Sequence, residues 1–266
     1  MSPDSNKSTS IAILLYDRLT ALDAIGPYEV LSRLPGASVT FVAAEPGAVH
    51  TDNGMLTLLA ERAIADVPEP DIVLVPGGPG EVSARAGGPA LEWLRGAHET
   101  TAWTTSVCTG SLILASAGLL AGKRATSHWL ALEKLRELGA EPVAERVVFD
   151  GKLVTAAGVS AGIDMALALV ARIAGEQVAK AIQLGIEYDP QPPFDAGSPR
   201  TAPPAIVELL RDRSRFIRGE DAVAARRRAS PRSAAGSSRE RRRGRRATGS
   251  GAGAGGTGAC RSPRSA

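Results

Sequence analysis

Apolar positions along the chain follow two alternating patterns. Ile11 to Tyr16 (IAILLY), Val39 to Ala44 (VTFVAA) and Asp71 to Pro76 (DIVLVP) are short, nearly unbroken apolar runs, as expected of strands buried on both faces of a parallel sheet. Ala102 to Val107 adds another β-prone run. Between these runs the spacing becomes helical, in LTALDAIGPYEVLSRL, PALEWLRGAHE, SLILASA, LALEKLRELGA and the stretch from Ser160 to Ala174 that Gly175 closes. Gly26-Pro27 is expected near the start of the first helix, where proline is tolerated. Asp52-Asn53-Gly54 before Met55 to Leu59, and Asp150-Gly151 between Val147 to Phe149 and Leu153 to Ala156, are hairpin signals. A helix from Glu176 to about Glu187, a Pro-rich turn at 188–194 and a last helix from Ile206 to Arg218 complete the series. Strands alternating with helices predict an α/β three-layer sandwich, a mostly parallel central sheet covered on both faces. Its ligand crevice would lie beyond the carboxyl ends of the strands.

That expectation selects the residues with candidate chemistry. Cys108 lies between the run ending at Val107 and the helix starting near Ser111, on a strand-to-helix turn that has the form of a nucleophile elbow. Thr109 and Gly110 keep the turn compact, and the helix start beyond it favours thiolate over thiol. The alternative is a small buried hydrophobe, the commoner role of a free cysteine. Asp23 follows the first strand, either as a helix N-cap or as an acid facing the crevice. Gly77-Gly78-Pro79-Gly80 follows the strand ending at Pro76, and lacks the spacing of a Walker or dinucleotide loop. It is either a tight turn or a close backbone approach to a ligand. His128, ahead of a helix, is read as pocket-lining or structural rather than as a catalytic base. Asp23, Gly77-Gly78 and Cys108 thus converge on one sheet edge.

Charge divides the chain. Residues 226–266 hold 12 Arg against one acid, a net of +11, while the preceding residues hold 19 Lys and Arg against 27 acids, a net of −8. The basic segment 216–266, rich in Arg, Gly and Ala, has too few large apolar side chains beyond residue 225 to offset chain entropy, and is expected to be disordered. It reads either as a polyanion-binding arm or as a frame-shifted read-through; nucleic acid is not expected as a partner of the rest of the chain. Residues 1–10 are polar, and are expected to be disordered and to lack the apolar core of a secretory signal. No run approaches the roughly 20 apolar residues of a membrane span. A cytoplasmic protein without membrane contact is expected. Cys108 and Cys260 are the only cysteines and His50, His98 and His128 are scattered, which argues against a disulfide and against a metal site.

LDAIGPYEVL (22–31), VPGGPG (75–80), SVCTGSLILASAGLLAGKRATSHW (106–129), GVSAGIDMALAL (158–169) and EYDPQPPFDAGSP (187–199) resemble the ThiJ/PfpI family of the class I glutamine-amidotransferase-like superfamily, over residues 11–215. The early Asp and the EYDPQPPF stretch are similar to its isonitrile-hydrating branch; many other branches place Glu where this chain has Asp23. The resemblance implies a flavodoxin-like fold, a nucleophile at Cys108, an acid/base partner at Asp23 and a contribution to hydration from Thr109. It also implies oxyanion contacts from Gly77-Gly78 and the Thr109 amide, with His128 lining the pocket. The implied partners are a small isonitrile and a second copy of the chain near the active site, with no metal or organic cofactor. Two rival readings are a glyoxalase, deglycase or peptidase-like hydrolase of the same superfamily, and the sensor domain of a transcription regulator. The regulator requires roughly 100 further residues of helical periodicity, which the basic tail does not supply.

Overall fold

The computed structural model describes residues 8–214. In chain order the elements are β1 (Thr9–Leu14), α1 (Ala21–Leu31), β2 (Ala37–Ala43), β3 (Gly47–His50), β4 (Thr57–Ala60), β5 (Arg62–Ala63), β6 (Ile72–Val75), α2 (Glu81–Ala84), α3 (Pro89–Thr100), β7 (Trp103–Val107), α4 (Gly110–Ser116), β8 (Arg124–Ala125), α5 (Leu132–Glu137), β9 (Glu141–Pro142), β10 (Val147–Asp150), β11 (Leu153–Ala156), α6 (Ala161–Ala174), α7 (Glu176–Gly185) and α8 (Pro204–Asp212). The main sheet has the order β10-β11-β7-β6-β1-β2-β5. All its pairs are parallel except β10 with β11. The two hairpins lie where the turn signals predicted them, β3 with β4 and β10 with β11.

The unbroken run in β1 is explained by its two packed faces. Ile11, Ile13 and Leu15 pack with Val30 and Leu31 of α1 and Met165, Leu169 and Val170 of α6. Ala12 and Leu14 point the other way, into a second core with Leu91 and Leu94 of α3, Leu112 to Leu114 of α4 and Leu135 of α5. Alternate side chains on one strand therefore feed two cores, and both must be apolar. Among the described residues no helix is long and apolar enough to cross a membrane, and no group of three or more His, Cys, Asp or Glu could hold a metal ion.

Three expectations change. β1 starts at Thr9, so the first ten residues are not all outside the fold; Ser10 places both its N–H and its Oγ on Asp71 Oδ2 at 2.8 Å, tying the strand start to the entrance of β6. Pro27 is inside α1 rather than near its start, where it withholds the N–H that the Asp23 carbonyl would otherwise receive. The first turn of the helix is thus free of one internal restraint just where Asp23 stands. The last helix begins at Pro204, two residues before the expected Ile206, with proline at its first position. The expected tail at 216–266 lies outside the described residues.

In the sheet order, β1 has β2 on one side and β6 on the other, the reversal that opens a crevice at the carboxyl ends of an α/β sheet. The ends of β6 and β7 lead directly to Gly77 and Cys108, and the loop after β1 leads to Asp23 in the first turn of α1.

Candidate active site

Cys108 has φ +57, a left-handed conformation that costs a non-glycine residue on the order of 1–3 kcal/mol. It persists because the neighbours leave no other path. Its N–H is shared between the carbonyls of Ala156 (3.1 Å) and Ala157 (2.8 Å) at the end of β11. Two residues on, a Cβ at Gly110 would overlap the Val75 carbonyl, so glycine is what lets the α4 start close down over β6. The turn therefore holds the Cys108 side chain at the crevice, 6% exposed.

Asp23, the third residue of α1, is fully buried. It is not the N-cap of its helix, a position held by Thr20. Its Oδ2 instead accepts the N–H of Gly77 at 2.9 Å, from the loop after β6, while Oδ1 has no N–H or O–H donor among the described residues. The Cys108 thiol stands beside the carboxyl as its other hydrogen-bonding neighbour. Burial raises the Asp23 carboxyl from 3.8 to about 7; the Gly77 N–H and the thiol oppose this, and the negative charge of Asp52 adds to it. Burial also pushes the Cys108 thiol up, as does the adjacent Asp23 carboxylate, while the backbone amides of Thr109 and Val159 pull it down. The expectation of a thiolate favoured by the helix start is therefore corrected. In the free site burial and Asp23 outweigh the amides, and the proton stays on sulfur.

The resemblance implies oxyanion contacts from Gly77-Gly78; in the free site both N–H groups have partners within the protein, Gly77 with Asp23 and Gly78 with Thr109 Oγ1 at 3.0 Å. A Cβ on Gly77 would stand 2.5 Å from the Thr109 nitrogen and 2.9 Å from Asp23 Oδ2, so the loop must be bare to reach both residues. The two glycines thus position the acid and the threonine. The amides directed at sulfur are those of Thr109 and Val159. Val159 was not singled out from the sequence, because its contribution is a main-chain N–H that its side chain does not reveal.

His128 is outside this cluster. It caps a short 3-10 turn, Trp129–Ala131, with Nδ1 accepting the Leu130 N–H at 3.3 Å, and its ring lies over Gly158, where a Cβ would meet Cδ2 at 3.0 Å. Burial lowers its titration, which keeps the ring neutral near neutral pH. With Trp129, Leu132, Ala144, Val159, Ser198 and Arg200 it lines a cavity of about 440 Å³. Ala157 and Val159, which line that cavity, also bond Cys108 through their main chain, so cavity and thiol share a wall.

A doubly covered, mostly parallel sheet with a cysteine on its strand-to-helix turn, faced by a buried carboxyl from the helix that follows the next-but-one strand, defines a flavodoxin-like protein of the cysteine and carboxyl type. The chain belongs to the DJ-1/PfpI family, which residues 9–172 match. It is 44% identical over 204 residues to the isonitrile hydratase of Pseudomonas putida, covering 77% of this chain and 89% of that enzyme. A solved ThiJ/PfpI family protein from Pseudomonas syringae superposes with a TM-score of 0.76 at 37% identity, over 84% of this chain and 96% of the other. The HTH-type transcriptional regulator CdhR of Pseudomonas aeruginosa is 33% identical over 163 residues, which cover 59% of this chain and 48% of the regulator.

Proposed function

We propose that this chain is an isonitrile hydratase, converting R–N≡C and water to the formamide R–NH–CHO. The carrying observation is the pairing of a buried carboxyl that titrates near neutrality with the Cys108 thiol, since the reaction requires one proton to move from sulfur to carbon. The likeness to the P. putida enzyme supplies the substrate class.

Asp23 takes the Cys108 proton as sulfur bonds to the terminal isonitrile carbon, then returns it to that carbon, giving the thioimidate R–N=CH–S. The raised Asp23 makes it a base strong enough for the first transfer and an acid strong enough for the second. The Thr109 and Val159 amides stabilise the charge that develops on sulfur. Water next adds to the thioimidate carbon, delivering one proton to nitrogen and the other, through Asp23, to the departing sulfur. The C–S bond breaks, and the formamide leaves with the thiol restored. The R group occupies the cavity beside His128 and Trp129. Neither metal nor organic cofactor enters the reaction, and the working form in this reading is a cytoplasmic homodimer.

The glyoxalase-like alternative is less well supported because His128 hydrogen-bonds within its own turn and is separate from the Cys108 and Asp23 pair. Purified protein supplied with cyclohexyl isocyanide is expected to yield N-cyclohexylformamide, and the Cys108→Ala variant none. Turnover of methylglyoxal without formamide production would replace this reading with the alternative. Light scattering from the same preparation checks the dimer.

A further inference from the structure

Among the described residues the Cys108 carbonyl receives no main-chain N–H; the Leu112 amide near the helix start bonds to Thr109 O at 3.0 Å instead. Two hydroxyls take its place: Ser111 Oγ at 3.1 Å and Ser127 Oγ at 3.0 Å. Both serines are buried, 0% and 1% exposed, where an unmet acceptor would be costly. Ser111 belongs to α4, whereas Ser127 arrives from the loop after β8 and also lines the cavity beside His128.

The peptide that carries the Cys108 carbonyl also carries the Thr109 N–H, and the two point in opposite directions across one rigid plane. Fixing the oxygen therefore aims the hydrogen. That N–H is one of the two amides directed at Cys108 sulfur. The left-handed turn at Cys108 makes this orientation harder to keep, since the plane gains by rotating toward an ordinary conformation.

We propose that Ser127, with Ser111, is a positioning residue for Cys108: the two hydroxyls hold the peptide after Cys108 so that the Thr109 amide faces the reacting sulfur. The kinetic part of this inference rests on the hydratase reading, but the orientation of the amide does not. Ser127 also connects the cavity wall to the Cys108 main chain, so one of the two side chains that hold the amide lines the cavity.

The test is alkylation of Cys108 by iodoacetamide across pH, read on the Cys108 peptide by mass spectrometry so that Cys260 does not interfere, in full-length Ser127→Ala, Ser111→Ala, Ser127→Thr and the double alanine variant. Loss of one neutral hydrogen bond is expected to slow alkylation by about 2- to 10-fold and to move the profile to higher pH. Ser127→Thr should restore both, and the double variant should exceed either single one. In hydration assays kcat should fall with KM unchanged. A folded Ser127→Ala or double variant with the parent alkylation profile overturns the inference, as does a change confined to KM. If Ser127→Ala does not fold, Ser111→Ala removes the other donor and gives the same readout. If the parent protein does not hydrate isonitriles, the alkylation result still decides the role of the serines.

Discussion

The Asp23 carboxyl stands against the Cys108 thiol, anchored by the Gly77 N–H at 2.9 Å on Oδ2. Among the described residues no cation stands beside either group: burial favours the protonated form of both, the thiol eases ionisation of the carboxyl by its hydrogen bond, and the carboxylate makes the thiol harder to ionise. In the free site sulfur therefore retains its proton, and in the hydratase reading it is bond formation to the isonitrile carbon that lets the carboxyl take it.

Asp23→Asn keeps the shape and an oxygen for the Gly77 amide but cannot accept a proton. Turnover is expected to fall by about 10²- to 10⁴-fold, the usual contribution of a general acid–base group, and kcat/KM for isonitrile hydration measures it. Retained turnover would reduce Asp23 to a residue that orients the glycine loop.

The same substitution changes stability in a direction fixed by the raised titration. Below 3.8 both folded and unfolded Asp23 are protonated; between there and about 7 the unfolded chain releases a proton that the folded chain keeps. Stability is therefore lost as pH rises through this window, by roughly 4 kcal/mol in total. Urea denaturation at about pH 5 and about pH 8 should show the parent weakening relative to Asp23→Asn, with the variant the more stable of the two at the higher pH. Parallel curves would mean that Asp23 ionises freely in the fold.

Cys108→Ala and Cys108→Gly should both be inactive, yet differ in stability. Alanine keeps the steric cost at φ +57 and glycine does not, so Cys108→Gly should be the more stable by about 1 kcal/mol, read from denaturation midpoints. Equal midpoints would indicate that the turn is unstrained.

Thr109→Val removes the acceptor of the Gly78 N–H and leaves a buried donor unmet, a loss of about 1–3 kcal/mol. Thr109→Ser keeps the acceptor and should retain both stability and turnover. Hydration kinetics and thermal melts of the two variants separate the hydroxyl from the methyl. An active, stable Thr109→Val variant would limit the residue to its main-chain amide.

Much of this arrangement was legible from residue order. The doubly apolar run at Ile11 to Leu15 identified a central strand because both faces of β1 are packed, and the positions after β1, β6 and β7 identified the edge where Asp23, Gly77 and Cys108 meet. What could not be read was the destination of each hydrogen bond. A glycine pair announces a close approach, but not that its two amides serve Asp23 and Thr109. Likewise a cysteine before a helix suggests a thiolate, whereas the balance at Cys108 is set by burial and a carboxyl from a distant turn. Pro27 was misplaced because its local rule favours helix starts, while α1 accepts it in the interior.

The cavity beside the thiol is lined by Trp129, Leu132 and Ala144, whose side chains take no part in the hydrogen bonds that join Asp23 to Gly77 and Thr109 to Gly78. In the hydratase reading they are positions of the cavity wall that make no hydrogen bond to Cys108, unlike Ser127, Ala157 and Val159, which line the same cavity. A library of variants at those three positions could reshape the preference for R while leaving the proton-transfer apparatus as it stands, making the scaffold tractable for directed evolution toward bulkier or more polar isonitriles.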